Sequence, residues 1–218
     1  NMEDKEKVRD YLGKILSASN HLLSLINDIL DMSRIESGKL QLEETEVNLS
    51  QVYRELETIV SAQVSAKGQT LSMARWDVSD ENVSCDKTRL NQVLLNLLSN
   101  AIKFTPEGGT VSLALRQLPG NQKGRGTYEF RVRDNGIGMS PEFAKKIFEP
   151  FERERSSTVS HIQGTGLGMA ISKSIVDMMG GTIEVHSEPQ KGTEFVVRLP
   201  LTILEPQPAP KTAQEQPQ

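Results

Sequence analysis

The chain has 218 residues, enough for one domain of ordinary size and an appended element. Apolar residues make up 36% and charged residues 25%, with a formal net charge of -4, a soluble globular composition that favours neither nucleic acid nor an anionic membrane as a partner. The single cysteine, Cys85, excludes an internal disulfide framework, no Cys/His cluster offers zinc its ligands, and a reducing compartment, the cytoplasm, is the expected home.

Apolar runs are broken by polar residues every few positions, and no basic-then-apolar leader opens the chain. Neither a spanning helix nor direct membrane contact is expected here, and anchoring of a parent protein in an inner membrane is left to segments outside these residues.

The pattern opens on a long helix over 8–32, where Val8, Ile15, Leu22 and Ile29 recur at heptad spacing beside Tyr11, Ala18, Leu25 and Met32. Leu12, Leu16, Leu23, Ile26 and Leu30 widen the stripe beyond a two-helix seam, as in a four-helix bundle whose other helices the chain does not supply. The helix ends near Gly38, and 40–42 and 46–49 read as short extended pieces. This divides the chain into a bundle helix at 1–40, a domain at 41–204 and a tail at 205–218.

Within the domain, the pattern predicts a helix near 50–66, a strand near Leu71, a helix over 86–104 capped by Asp86, and strands at 110–117 and 127–133 joined by a hairpin loop at 120–126. A short helix follows from Pro141, then a polar stretch at 153–163, a helix from about 166 to 179, and strands at 182–187 and 194–201. The tail, with Pro206, Pro208, Pro210 and Pro217 among Gln and Ala, reads as an extended linker that either simply ends or leads to another domain.

Four segments carry the chemistry. Asn96, Asn100 and Lys103 share one face of an otherwise apolar helix. Alone, such a face usually meets only water, but amide oxygens suit Mg²⁺ and an ammonium suits phosphate. Asp134-Asn-Gly136-Ile137-Gly138-Met139 follows a strand, where glycines let the backbone approach a flat ligand and a buried carboxylate could accept a base's exocyclic amine. Taken alone, Asp134-Asn-Gly is only a turn. Gly164, Thr165, Gly166, Leu167 and Gly168 open a helix whose amides and dipole can meet phosphates. They match neither GxxxxGK[ST] nor the βαβ setting of a dinucleotide fold. Between them, the charge-rich run from Phe148 and Phe151 to Gln163 has the composition of a loop that could lie over a ligand, with Arg153 or Arg155 reaching a terminal phosphate.

The order and spacing of these segments, with Gly180-Gly181 and Gly192-Thr193-Glu194-Phe195, resemble the catalytic domain of sensor histidine kinases, in the gyrase, Hsp90, histidine-kinase and MutL group, over residues 5–204. The resemblance implies an α+β fold, a two-layer α/β sandwich of Bergerat type preceded by a bundle-forming helix. It implies ATP and Mg²⁺ as cofactors, Asn100 as the metal ligand and Asp134 as the adenine reader. Asn96, Lys103, Ile137, Gly138, Met139, Phe151, Arg153, the 164–168 run and Thr193 are the further nucleotide contacts it implies. It also implies a homodimer through the first helix and a response-regulator receiver domain as partner.

The family's phosphoacceptor histidine, followed by a carboxylate and later a proline, has no counterpart, since His21, His161 and His186 are followed by Leu, Ile and Ser. All three read as structural or surface residues, and the first helix resembles the second helix of the dimerisation and phosphotransfer bundle. The expectation is therefore an ATP-binding fragment unable to label itself. Two alternatives stand beside it: a gyrase- or Hsp90-type ATPase, which would place a carboxylate at the position of Asn96 to activate water, and a nucleotide-gated interaction module without chemistry.

Overall fold

The computed structural model describes residues 2–119, 124–153 and 164–204. Helix α1 spans Met2–Glu36 and is closed by a turn in which the Lys39 and Leu40 amides both donate to the Arg34 carbonyl. That turn takes the backbone amide a strand would need, so the extended piece expected at 40–42 does not form. After it come β1 (Thr45–Asn48), α2 (Leu49–Ala66), β2 (Thr70–Trp76), β3 (Asn82–Cys85) and α3 (Lys87–Phe104). Then follow β4 (Thr110–Leu118), β5 (Arg125–Asp134), α4 (Pro141–Ala144), α5 (Gly168–Met178), β6 (Thr182–Glu188) and β7 (Gly192–Ile203).

Local chemistry sets the helix starts. Asn48 Oδ1 accepts from the Gln51 amide, Asp86 Oδ1 from Arg89 and Ser140 Oγ from Phe143, each satisfying a donor that the first turn leaves open. Helix α5 begins at Gly168 rather than 166 because Gly166 sits at φ +73°, outside the helical region.

Among the described residues, seven strands form one sheet in the order β1-β3-β7-β5-β4-β2, with β6 also on β7, and only β2 and β4 run parallel. Val111, Leu113 and Leu115 of β4 alternate with less buried Ser112, Ala114 and Arg116. Helices α2, α3 and α5 cover the apolar face, where Leu90, Leu94, Leu97 and Leu98 of α3 meet Leu56, Phe130, Ile171 and Ile175. Each such side chain contributes roughly 1.5–3 kcal/mol by leaving water. The result is the two-layer sandwich that the sequence predicts.

Helix α1 stands on this domain by its C-terminal half. Asp31 accepts from Arg89 at 3.0 Å and from Gln92 at 2.7 Å, and Met32 and Ile35 touch the core. Its apolar stripe is otherwise open, with Tyr11, Ile15, Leu16 and Leu23 each about three-fifths exposed. Among the described residues, no helix is long and apolar enough to cross a membrane. The expected hairpin loop is shorter, because β5 already starts at Arg125, and 120–123 lie outside the described residues, as does the tail from 205.

Candidate nucleotide-binding site

A cavity of about 330 Å³ opens between α3, the loop after β5, the glycine run before α5, the start of β7 and one face of α1. Every residue expected at the site lines it except Phe151 and Leu167.

Helix α3 supplies the floor. Asn96 Nδ2 donates to the Gly168 carbonyl and to Ser172 Oγ, both at 3.2 Å, tying α3 to the start of α5. Asn100 Nδ2 donates to Met169 Sδ at 3.2 Å, which leaves the amide oxygen as the group offered to the cavity. Lys103 Nζ lies 5.0 Å from the Phe104 ring centroid, and a Cβ at position 164 would approach it to 2.8 Å. A side chain at 164 would push the ammonium aside, a small shift for the far end of a flexible lysine. Burial and then the neighbouring Arg153 charge lower the Lys103 pKa. Two cations thus face one cavity, where an anionic ligand would ease the repulsion between them.

The end of α3 is pinned from below: Lys67 Nζ donates to the carbonyls of Ile102, Lys103 and Thr105, and Gln69 Nε2 to those of Ile102 and Thr105. The Phe104 carbonyl then accepts from the Ile137 amide at 3.2 Å, so the loop after β5 hangs from the helix that carries Lys103.

Asp134 closes the other end. It is 7% exposed, ends β5 and pairs in register with Thr193 on β7. Burial raises its carboxyl pKa, against the lowering effect of the Gly136 and Thr193 amides that donate to it. The loop 135–139 meets the β6–β7 hairpin with no room to spare. A Cβ on Gly138 would lie 1.9 Å from the Glu188 carbonyl oxygen, and one on Gly192 2.0 Å from that of Asp134. Glycine at both positions is what lets the two backbones touch.

Two of the expected residues stand off the cavity wall. Leu167 is 1% exposed and belongs to the hydrophobic core; the polar residues around it hide an apolar side chain that the fold buries. Its amide donates to Thr165 Oγ1 at 3.0 Å. The Phe151 side chain is 70% exposed and off the cavity, while its amide donates to the Gly166 carbonyl at 2.9 Å. Of the charge-rich run, 154–163 lie outside the described residues, Arg155 and His161 among them.

Sequence reasoning missed the contribution of α1. His21, Ser24 and Asp28 line the cavity, and Thr165 Oγ1 donates to Asp28 Oδ2 at 3.0 Å. Their i, i+3, i+7 spacing is a polar row inside the apolar helix, the one signal the sequence carried. Burial raises the Asp28 pKa.

With this geometry in place, comparisons identify the family. The model of the histidine kinase-, DNA gyrase B-, and HSP90-like ATPases matches residues 85–203, and that of the His Kinase A (phospho-acceptor) domain matches 1–38. The chain is 40% identical to the sensor protein GacS of Pseudomonas syringae pv. syringae over 88% of its own length and 21% of the relative's. It is 38% identical to the signal transduction histidine-protein kinase BarA of Escherichia coli strain K12 over 86% of its length and 20% of the relative's. It thus spans about a fifth of these relatives. Full-length ShkA in complex with AMPPNP superposes with a TM-score of 0.73 at 31% identity, over 90% of this chain and 39% of that one. The chain belongs to the histidine kinase-, DNA gyrase B-, and HSP90-like ATPases, as a sensor histidine kinase catalytic domain preceded by a helix of the phospho-acceptor domain.

Proposed function

We propose that this chain binds Mg-ATP and is the phosphoryl-donor part of a protein-histidine kinase in two-component signalling. The observation that carries the reading is the polarity of one cavity: a buried carboxylate at the Asp134 end, and Lys103, Arg153 and the glycine run at the other. The carboxylate accepts from the adenine amine, and the cations and backbone amides neutralise the triphosphate.

The residues fit a magnesium ion. Mg²⁺ takes few protein ligands and keeps waters and phosphate oxygens, so one amide oxygen facing the cavity, Asn100 Oδ1, is a suitable donor set. When bound, the ion neutralises charge on the transferred group. Lys103 and Arg153 hold the phosphates, Asn96 keeps α5 against α3, and Asp134 orients the base; the protein's part is positioning and electrostatics. An amide at 96, with its nitrogen tied to Gly168 and Ser172, cannot serve as the general base a hydrolase requires there.

The acceptor histidine comes from outside these residues, because His21, His161 and His186 lack a following carboxylate. The open stripe of α1 meets a second copy of the chain, and a receiver domain takes the phosphoryl group, as supported by the solved complex of histidine kinase ThkA with response regulator protein TrrA. Its place is the cytoplasm, with 1–40 as bundle helix and 41–204 as catalytic domain.

The test is a titration of ATP, GTP and ADP with and without Mg²⁺ on the parent, Asp134→Asn and Asn100→Ala chains. Asp134→Asn should abolish the preference for ATP over GTP, and Asn100→Ala should abolish the gain from Mg²⁺. Equal affinity of the parent for ATP and GTP would sink the site assignment, and a monomer at every concentration in sedimentation would remove the pairing through α1.

A further inference from the structure

Ser187, near the end of β6, is not part of the cavity wall, yet its hydroxyl touches three polar groups. They are the Met139 amide at 2.9 Å, the Gly192 carbonyl at 3.0 Å and Thr193 Oγ1 at 2.9 Å. A serine hydroxyl owns one proton and two acceptor lone pairs. Two of its partners have no choice of role, since an amide N–H donates and a carbonyl oxygen accepts.

All three contacts are hydrogen bonds in one arrangement only. Ser187 gives its proton to the Gly192 carbonyl, accepts from the Met139 amide, and accepts from the Thr193 hydroxyl. The Thr193 proton is thereby committed to Ser187, and Thr193 turns lone pairs toward the cavity it lines. Asp134, its register partner across β5 and β7, presents a carboxylate beside it. That end of the cavity is then a pair of acceptors.

We propose that Ser187 is a positioning residue for base selection: by fixing the Thr193 proton, it keeps the wall beside Asp134 acceptor-only. The proposal rests on the nucleotide reading above. An acceptor-only wall favours a purine with an exocyclic amine and rejects one with a carbonyl at the same position, because two facing acceptors leave each other unpaired. A Thr193 hydroxyl released from Ser187 rotates and donates to that carbonyl, and the discrimination weakens.

The experiment measures equilibrium affinities for ATP and for inosine triphosphate, which keeps the purine and the phosphates and replaces the amine by a carbonyl. On the full chain, Ser187→Ala should lower the ATP-over-ITP ratio about fivefold, mainly through better ITP binding, and Ser187→Thr should restore it. Thr193→Val should also lower the ratio, and adding Ser187→Ala to it should change the ratio no further. Equal losses for both nucleotides in Ser187→Ala would make Ser187 a mere loop fastener and overturn the proposal while leaving the site assignment intact. So would an unchanged ratio in Thr193→Val. A parent chain without preference for ATP overturns both.

Discussion

Asp134 is a buried carboxyl whose charged form is held at a cost. Its carboxyl pKa is raised by burial, against the Gly136 and Thr193 amides, so the folded protein favours the protonated form. Its contribution to stability is therefore fully present below the ordinary value of 3.8 and is lost as pH rises through the folded value. The charged form, the one that would accept from a base's amine, is thus the form that burial penalises in the unliganded protein. Asparagine keeps an oxygen for the Gly136 amide and removes the charge, so Asp134→Asn should raise unliganded stability at pH 7 by about 1 kcal/mol. Urea melts should show that gain shrinking as the pH approaches 4, while ATP selectivity is lost. A destabilised variant at pH 7 would mean that the backbone donors, not burial, dominate. Asp134, Asn100 and Lys103 were legible in the sequence because a strand end and a helix face fix where such side chains go. Leu167 was not, because an apolar residue inside a polar motif follows the core, and Asp28 was not, because only docking of α1 brings it to Thr165.

At the scale of elements, long periodic helices and alternating strands were readable, and the pieces that depend on neighbours were not. Strand β3 has four residues and exists because β1 and β7 hydrogen-bond to it on both sides. The open face of the sheet also holds a cluster that no single strand announces. Glu129 on β5 lies opposite Arg116 on β4 and Arg198 on β7, with Arg131 two residues along its own strand. Its side chain is 1% exposed and bonded to all three guanidiniums at 2.7–2.8 Å. Burial alone would raise its pKa, but hydrogen bonds from Arg131, Arg116 and Arg198 together bring it down to about 2. Its stabilisation is thus present above the ordinary value of 4.5 and is lost as pH falls through about 2. The arginines are about one-third exposed, so solvent screens part of the attraction. Glu129→Gln should cost about 2 kcal/mol at pH 7, with the difference from the parent closing between about pH 4.5 and 2 in urea titrations. A difference that persists at pH 2 would assign the loss to packing instead.

At the scale of the whole molecule, α1 and the catalytic domain share the cavity, which neither builds alone. The Asp31 bonds to Arg89 and Gln92 set the helix on the domain, and Asp28 then reaches Thr165 inside the glycine run. The same run is where the triphosphate is proposed to lie, so a carboxylate on α1 faces the ligand's own charge. Thr165 can hold Asp28 or turn toward a phosphate, and Asp28 is half-buried, where screening by water is incomplete. Asp28→Asn should therefore strengthen ATP binding about threefold and leave adenosine, which has no phosphates, unchanged. Raising the salt concentration should narrow the difference, as expected when charge rather than contact causes it. If Asp28→Asn strengthens adenosine and ATP equally, α1 merely obstructs the cavity; if it weakens ATP alone, Asp28 assists the phosphate end by holding Thr165 in place.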